Sequence, residues 1–340
     1  MISVIEIDGS YLEGGGQIIR TATGLSALTG KPCKIFNIRK NRSTPGLKAQ
    51  HLKGLEAVAK LSNADTSGLE IGSTQVGFSP GKLVHEHLKI DIGTAGSIGL
   101  VFQSLMIPAI HTDKKLEFEI TGGTDVKWSP SVAFFESVFC GNLDKMGIKI
   151  EVKVMKAGYY PKGGGKVMVK VYPFRKIEPV NWTEQGKVKR IDSWSFASRE
   201  LERADVAERQ MEGFEEIFNK VDCRNVQYVD TLSVGTSITA HAHCNTVIGA
   251  SVLGERGKPA EKVGRECGEL LGKELSTGAS LDRHMADQIL PYLAIAAENG
   301  ESKVRVAELT KHAKTNIWVI EKFLPVKFSI NGNVISCNHT

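Results

Sequence analysis

The chain has few cysteines and no closely spaced pair of them. Its six cysteines are Cys33, Cys140, Cys223, Cys244, Cys267 and Cys337, and no C-x-x-C motif occurs. This pattern is typical neither of a disulfide scaffold nor of a thiolate zinc site. It fits a reducing compartment, so we expect a cytoplasmic protein.

Long hydrophobic runs and a signal peptide are also missing. The longest apolar stretch, residues 98–110, is interrupted by Gln103 and Ser104 and is too short to span a bilayer. The first residues include acids, where a signal peptide would carry basic residues ahead of an apolar core. We therefore expect no membrane association.

The usual sequence signatures of ATP binding are absent. The segment nearest to a Walker A loop, residues 24–32, has one residue too many between its glycines, and Pro32 replaces the Mg²⁺-binding Ser or Thr. No G-x-G-x-x-G follows a predicted strand, and the segment Glu6-Ile-Asp-Gly9 lacks the lysine that nucleic-acid ligases adenylylate. If this protein uses ATP, it needs a different nucleophile and a different phosphate-binding loop.

The composition is otherwise that of a globular protein, with 41% hydrophobic and 24% charged residues. The net charge is only +5, but residues 36–60 contain several basic residues against the single acid Glu56. These basic residues are Arg39, Lys40, Arg42, Lys48, Lys53 and Lys60. Such a segment could bind phosphates, but charge alone favours a solvated surface.

Hydrophobic periodicity predicts alternating strands and helices. A Gly-rich segment followed by an apolar helix occurs at Gly14 and again at Gly93, and a weaker copy ends the chain with a predicted helix at 315–323. We therefore predict an α+β fold of three repeated units, each a small sheet with helices on one face. These units would form a large catalytic domain from residues 1–180 and 279–340.

Between residues 181 and 278 the pattern changes. A strongly charged helix is predicted at 199–220, three strand segments follow, and Pro259 begins another amphipathic helix. This order predicts a smaller inserted β-α-β-β-α domain. Because it has no Gly-rich loop and little concentrated positive charge, we place the chemistry in the large domain.

The segment Glu13-Gly-Gly-Gly-Gln-Ile-Ile-Arg20 is suited to binding an anion. Its consecutive glycines are Gly14, Gly15 and Gly16. They precede a predicted helix, and their N–H groups can turn together towards a phosphate. Arg20 can add a bidentate phosphate contact, and Glu13 can hold a hard divalent cation. The same glycines are equally compatible with a flexible turn or with close backbone packing.

Nine histidines supply the candidates for a nucleophile or a metal ligand. His85 and His87 form one H-x-H pair, and His241 and His243 form another. Each pair would point to one face of a strand, but a metal site needs a third ligand that the sequence does not identify. Packing or surface roles are therefore the favoured explanation for both pairs.

His312 has a more favourable position for a nucleophile. It lies between two lysines and directly before a predicted helix N-terminus at Thr315, which would lower the pKa of the imidazole and keep it neutral. His51, which follows Gln50 in the basic segment, is a second candidate. From local chemistry alone, a structural role is the favoured explanation for either histidine.

Several motifs occur in a fixed order along the chain. They are Asp8-Gly-Ser-Tyr-Leu-Glu-Gly-Gly-Gly-Gln-Ile-Ile-Arg-Thr, Pro45-Gly-Leu-Lys-Ala-Gln-His-Leu, Asp91-Ile-Gly-Thr-Ala-Gly-Ser, Gly122-Gly-Thr-Asp, Gly158-Tyr-Tyr-Pro-Lys-Gly-Gly-Gly, Ala286-Asp-Gln and His312-Ala-Lys-Thr-Asn-Ile. Together they resemble the RNA 3'-terminal phosphate cyclase family over residues 7–328. The resemblance implies a large domain of three α+β repeats with an inserted thioredoxin-like module.

The resemblance also implies a reaction that uses ATP and a divalent cation, Mg²⁺ or Mn²⁺. ATP would adenylylate His312 with release of pyrophosphate, and AMP would pass to an RNA 3'-terminal phosphate. The neighbouring 2'-hydroxyl would then form a 2',3'-cyclic phosphate and expel AMP. The alternative is a non-catalytic relative that binds RNA in ribosome assembly. That group lacks the nucleophilic histidine and has lost phosphate-binding arginines, whereas this sequence keeps both.

By motif, the resemblance assigns site residues around His312. Residues that match phosphate-binding or active-site positions are Arg20, Arg39, Arg42, Gln50 and His51, and Glu13 matches the residue associated with the metal. Residues that match the nucleotide pocket are Gly14, Gly15, Gly16, Gln103, Pro130, His284, Asp287 and Gln288. Asp287 would orient His312, and Pro130 would cover one face of adenine. Bacterial members usually carry tyrosine where this sequence has His284, which leaves base selectivity open.

Overall fold

A computed structural model describes residues 3–84 and 87–340 of the chain. Its first unit contains β1 (Ile5–Asp8), α1 (Gly16–Thr29), β2 (Cys33–Phe36), α2 (Ala49–Leu61), β3 (Asp65–Ser67) and β4 (Val76–Ser79). Strands β1 and β2 are parallel, and β4 lies antiparallel between β2 and β3. The sheet order is therefore β1-β2-β4-β3.

The second unit repeats this topology. It contains β5 (His87–Asp91), α3 (Ile98–Ala109), β6 (Leu116–Gly122), α4 (Val132–Phe134), α5 (Cys140–Asp144), β7 (Ile150–Lys156) and β8 (Gly165–Val171). A π-helical turn at Phe135–Phe139 joins α4 to α5. The order β5-β6-β8-β7 has the same parallel and antiparallel pairs as the first sheet.

A separate four-stranded sheet interrupts the third unit. The unit begins with β9 (Asn181–Trp182), and the chain then forms β10 (Arg190–Ser198), α6 (Val206–Glu215), β11 (Cys223–Val229), β12 (Thr236–His243), β13 (Val247–Leu253) and α7 (Ala260–Ser276). This sheet has the order β11-β10-β12-β13, with β10 parallel to β11 and antiparallel to β12. Phe214 of α6 and Leu271 of α7 pack with Ile238 on one face of it. The inserted module thus has a thioredoxin-like arrangement.

The third unit resumes after the insertion. It contains α8 (Met285–Gln288), α9 (Leu290–Ala296), β14 (Ser302–Arg305), α10 (Lys311–Phe323), β15 (Val326–Asn331) and β16 (Val334–His339). Read from β9, its sheet order is β9-β14-β16-β15, with β9 parallel to β14 and the other pairs antiparallel. The predicted three α+β repeats and the inserted module are confirmed. The module has the order β-α-β-β-β-α, however, which is one strand more than the predicted β-α-β-β-α.

Two details of the sequence-based interpretation differ from the structure. Asn181 and Trp182 pair with Lys303 and Val304, so these two residues belong to the third sheet and the insertion follows them. The division into two domains itself stays a prediction. The predicted helix 199–220 is shorter, because Asp205 has a left-handed backbone (φ 49°) that separates a 3₁₀ turn from α6.

Helices of all three units share one hydrophobic core. Helix α1 contacts α2, α3 and α10, and its Ile18 and Leu25 are fully buried. Phe102 of α3 meets Phe135 edge-on at 6.4 Å. This packing puts the N-terminal ends of helices from different units next to one another. No helix in the described part of the chain is both long enough and apolar enough to cross a membrane.

Candidate active site

The helices α1 and α10 begin side by side. The Gln17 side chain donates to the carbonyl of His312 (2.9 Å), and Thr21 Oγ1 donates to Asn316 Oδ1 (2.8 Å). Because these contacts are one turn apart on both helices, the helices run in the same direction and both N-termini open on the same side. Two sets of free N–H groups and two positive dipole ends therefore favour an anion at this place.

The Gly-rich loop before α1 packs tightly against its neighbours. A Cβ atom on Gly16 would collide with the His51 imidazole, and one on Gly15 would lie 3.5 Å from an Arg42 nitrogen. Gly14 has a left-handed backbone (φ 56°) that L side chains rarely adopt. Gly16 is therefore required for the close approach of His51 to the start of the helix, whereas a side chain at Gly15 would make only ordinary contact with Arg42.

A cavity of about 790 Å³ opens in front of the two helix N-termini. The predicted site residues that line it are Glu13, Gly15, Gly16, Arg20, Arg39, Arg42, Gln50, His51, Pro130, His284, Asp287 and His312. They come from all three units, and His312 is more than 290 positions away from Gln17 along the chain. Gly14, Gln103 and Gln288 do not line this cavity.

His312 lies within the first turn of α10, not before the helix as the sequence predicted. Thr310 is the N-cap, and its hydroxyl accepts the N–H of Ala313 (3.0 Å), which starts the helix at Lys311. Nε2 of His312 is 2.6 Å from Glu13 Oε2. Burial lowers the pKa of His312, Arg20 and Arg42 act in the same direction, and Glu13 opposes them. The ring is therefore neutral at pH 7 and held by a carboxylate.

Asp287 contacts the backbone of His312 indirectly and does not contact its ring. One Gln17 amide donates both to Asp287 Oδ2 (3.1 Å) and to the His312 carbonyl. Asn316 Nδ2 donates to the Asp287 carbonyl (2.8 Å). Burial raises the pKa of Asp287 to about 7, against the opposing effect of Arg20. The orienting role of Asp287 stays a prediction. Gln17 joins Asp287 to the His312 backbone and was not among the predicted site residues, although it lies in the Gly-rich motif.

The three arginines differ in how freely they can bind phosphate. Arg39 is buried, and its NH1 donates to the carbonyls of Thr44 (2.7 Å) and Gly46 (2.9 Å), which fixes the basic loop. Burial lowers the pKa of Arg20 to about 10, with Asp287 opposing. Arg42 is half exposed, and its NH2 lies 3.9 Å from Glu13 Oε2. Arg42 is therefore the most available of the three for a bound anion.

His51 is held as a neutral ring between α2 and the Gly-rich loop. Its Nδ1 accepts the backbone N–H of Lys48 (3.2 Å). Burial lowers the pKa of His51 to about 3, and the charges of Arg20, Arg39 and Lys48 act in the same direction. With Nδ1 acting as an acceptor, Nε2 carries the proton and faces the first residue of α1.

The predicted nucleotide-pocket residues are divided between two cavities. Gln103 and Gln288 line a separate cavity of about 30 Å³ beside Arg20 and Asp287, and the described residues offer Gln288 Oε1 no hydrogen-bond partner. That volume suits an ordered water molecule rather than a base. A direct contact of these glutamines with a nucleotide therefore stays a prediction.

The inserted module contributes to the large cavity, although the sequence analysis placed the chemistry away from it. Ser251 of β13 lines the wall, as does Arg283, which lies beyond the module. His284 meets Phe134 edge-on at 5.9 Å, and burial lowers the pKa of His284. Trp128 also lines the wall close to Pro130 and was not selected from the sequence.

Arginines and two helix N-termini surround a histidine that lies beside a carboxylate, and this arrangement is suited to binding an anion such as phosphate. The family model for RNA 3'-terminal phosphate cyclase matches residues 11–330. The chain belongs to this family.

Relatives are similar over nearly their whole length. The RNA 3'-terminal phosphate cyclase of Methanopyrus kandleri is 46% identical over 97% of this chain and 96% of its own. The protein of that name from Thermococcus kodakarensis is 43% identical over 97% of this chain and 95% of its own. The RNA 3'-terminal phosphate cyclase of Archaeoglobus fulgidus is 42% identical over 98% of this chain and 99% of its own.

Proposed function

We propose that this protein converts an RNA 3'-terminal phosphate to a 2',3'-cyclic phosphate at the expense of ATP. The observation that carries the proposal is the neutral His312 in the first turn of α10, with Nε2 2.6 Å from Glu13 Oε2 in a cavity lined by arginines. Membership of the cyclase family supports the RNA substrate.

The reaction has three steps, and in each step one bond to phosphorus forms while another breaks. His312 attacks the α-phosphorus of ATP, its ring proton passes to Glu13, and pyrophosphate leaves. An oxygen of the RNA 3'-phosphate attacks the histidine-bound phosphorus, and the N–P bond breaks to free the ring. The 2'-hydroxyl then attacks the 3'-phosphorus, loses its proton and expels AMP. Because this hydroxyl is already adjacent to the 3'-phosphate, the last step has a high effective molarity.

The surrounding residues neutralise and position the phosphates. Arg20 and Arg42 supply positive charge, and the N-termini of α1 and α10 supply N–H donors that are already oriented. Pro130 and His284 line the cavity wall, where an adenine ring can bind. Arg39 keeps the basic loop in shape through its contacts with Thr44 and Gly46.

A divalent cation fits Glu13, because this carboxylate faces the cavity and Mg²⁺ commonly binds through one carboxylate together with substrate phosphates. When bound, Mg²⁺ or Mn²⁺ would neutralise phosphate charge. Glu13 also holds His312, so replacing it affects both the ring and the cation.

The proposal is tested by covalent labelling. Incubation with ATP labelled at the α-phosphate and with Mg²⁺ or Mn²⁺ should give protein whose label is acid-labile and alkali-stable, as a phosphoramidate is. His312→Ala should abolish the label, whereas the matched control His339→Ala, at the exposed end of β16, should keep it. Label that persists in His312→Ala would overturn the mechanism.

The alternative function is that of a non-catalytic RNA-binding protein in ribosome assembly. The retained His312, Arg20 and Arg42 around one cavity favour the enzyme. Tight RNA binding in a filter assay, without consumption of ATP or formation of a cyclic end, would instead support the binding protein.

A further inference from the structure

The inserted module carries a cluster of ligating side chains away from His312. Asp192 of β10 lies directly opposite His241 of β12, and Arg190 lies opposite His243. Side chains alternate along a strand, so Asp192, His241 and His243 share the sheet face opposite to that covered by α6 and α7. Asp192 therefore occupies the position of a third ligand, which the sequence did not identify. In the other H-x-H pair, His85 lies outside the described residues. Nδ1 of His87 lies 3.5 Å from Glu117 Oε2.

Both imidazoles approach the same carboxylate oxygen. Nε2 of His241 lies 3.4 Å and Nε2 of His243 lies 3.3 Å from Asp192 Oδ2. A charge-assisted hydrogen bond is shorter, about 2.7–2.9 Å. Ligands placed about 2.0–2.1 Å from a tetrahedral Zn²⁺ are about 3.4 Å from one another. Both separations are close to this edge length, and the His243 contact at 3.3 Å is also within hydrogen-bond range.

The surroundings of the cluster suit a bound cation with one open side. Arg190 Nε lies 2.6 Å from Asp192 Oδ1 and so orients the carboxylate while leaving Oδ2 to the histidines. Asp192 and His241 are buried, whereas the His243 side chain is 39% exposed and leaves an entry path.

We propose that Asp192, His241 and His243 bind one divalent transition-metal ion, with water in the fourth position. Two imidazoles and a carboxylate favour Zn²⁺ over Mg²⁺ or Ca²⁺. The ion would cross-link β10 and β12 where the module meets the second unit, since Thr239 of β12 hydrogen-bonds Ser131 at 2.8 Å. The site is separate from Glu13 and independent of the proposed reaction.

The test uses the full chain after removal of metals with a chelator. Titration with Zn²⁺ alone in a calorimeter should show one equivalent bound, and Zn²⁺ should raise the melting temperature. His243→Gln, at the exposed edge of the cluster, should weaken binding at least 100-fold and remove this shift, whereas His312→Ala should leave both unchanged. Binding that survives His243→Gln, or no binding by the parent protein, would overturn the proposal.

A second cavity, of about 660 Å³, adjoins the His312 cavity and shares Gln50 and Trp128 with it. Its walls come from the second unit and from the inserted module, the latter through Val234 and Arg256. Trp128 is 96% exposed and Tyr160 is 77% exposed. Trp128 also has a left-handed backbone (φ 70°), a strained conformation for a bulky residue that is frequent at functional sites.

The charges in this second cavity are nearly balanced. Lys127 forms a salt bridge with Glu255 at 3.1 Å. The wall therefore lacks the excess positive charge that would bind the phosphates of an RNA strand. Exposed aromatic rings beside a cavity that receives the 3' end of an RNA strand are suited to stacking with its bases. Such stacking is possible with any base sequence. Resting on the proposed function, we infer that Trp128 and Tyr160 stack the RNA bases that precede the terminal phosphate.

This second inference is tested by substrate length. Trp128→Ala should raise KM about tenfold for a 3'-phosphorylated decanucleotide and much less for a dinucleotide, because stacking contributes to binding of the longer strand. Trp128→Phe should restore the decanucleotide KM. Tyr160→Ala, which changes the second cavity only, should raise the decanucleotide KM and leave labelling by ATP unchanged. Equal effects on both lengths, or a raised KM for ATP in Tyr160→Ala, would overturn the inference. Loss of labelling in the parent protein would instead contradict the proposed function.

Discussion

At the scale of single residues, the polar contacts between α1 and α10 determine where His312 lies. Gln17, Thr21 and Asn316 connect helices from the first and third units. Each of these residues stands in a motif that the sequence singled out, but the partners of Gln17 and Thr21 on α10 are 295 positions away along the chain. Periodicity and spacing cannot reveal such pairs, because local patterns carry no information about which helices become neighbours.

We predict that Gln17→Met slows adenylylation of His312 about tenfold. Methionine keeps the volume but removes both donors, which leaves the buried Asp287 carboxylate without its amide partner, and such a loss costs about 1–3 kcal/mol. The measurement is the rate of protein labelling by ATP. Gln75→Met, at an exposed glutamine, is the control, and a parent-like rate in Gln17→Met would contradict the positioning role.

His51 should make the protein acid-sensitive. Burial lowers the pKa of His51 to about 3 in the folded chain, whereas an unfolded histidine has a pKa of about 6.5. Below about pH 6.5 the unfolded state therefore binds the extra proton, and stability falls by up to about 1.4 kcal/mol per pH unit until the folded pKa is reached. His51→Gln should flatten this slope in denaturant unfolding, whereas the exposed His339→Gln should not. An unchanged slope in His51→Gln would contradict the assignment.

At the scale of elements, the start of α10 shows what the sequence signals can and cannot decide. Thr315 and Asn316 resemble a helix start, but both are buried within the helix, and Asn316 bonds to α1 and to Asp287. The true N-cap, Thr310, carries the same side-chain chemistry five positions earlier. Tertiary contacts of Asn316 account for a polar residue that local rules would place at a cap.

We predict that Thr310→Ala lowers the free energy of unfolding by about 1 kcal/mol, because the N–H of Ala313 loses its acceptor. The same change should also slow labelling of His312, which lies in the first turn of α10. Thr310→Ser keeps the hydroxyl and should restore both values. Urea unfolding and labelling by ATP measure the two effects, and a destabilised Thr310→Ser would point to the methyl group instead of the cap.

At the scale of the whole molecule, the repeated topology was accessible from the sequence because each unit begins with the same order of signals. The Gly-rich entries at Gly14 and Gly93 and the following apolar helices predicted two of the units directly. The insertion point was harder to find, since β9 has only two residues, Asn181 and Trp182, and gives no periodic signal. The inserted module lines part of the cavity because it packs against the other units. Local sequence patterns do not reveal such packing.

The last prediction concerns removal of the inserted module. The Ser280 hydroxyl donates to the Trp182 carbonyl, so the two ends of the insertion are adjacent and a short Gly-Ser linker can replace residues 184–278. The predicted site residues all lie outside this segment, so the shortened protein should fold and still label His312 with AMP. Its melting temperature should fall, because Val247 packs in the main core and Asn142 bonds its backbone on both sides. The rate of cyclisation of long RNA should fall more than the rate of labelling, because Val234 and Arg256 of the second cavity are removed. A shortened chain without native circular dichroism would show that the three units need the module to fold.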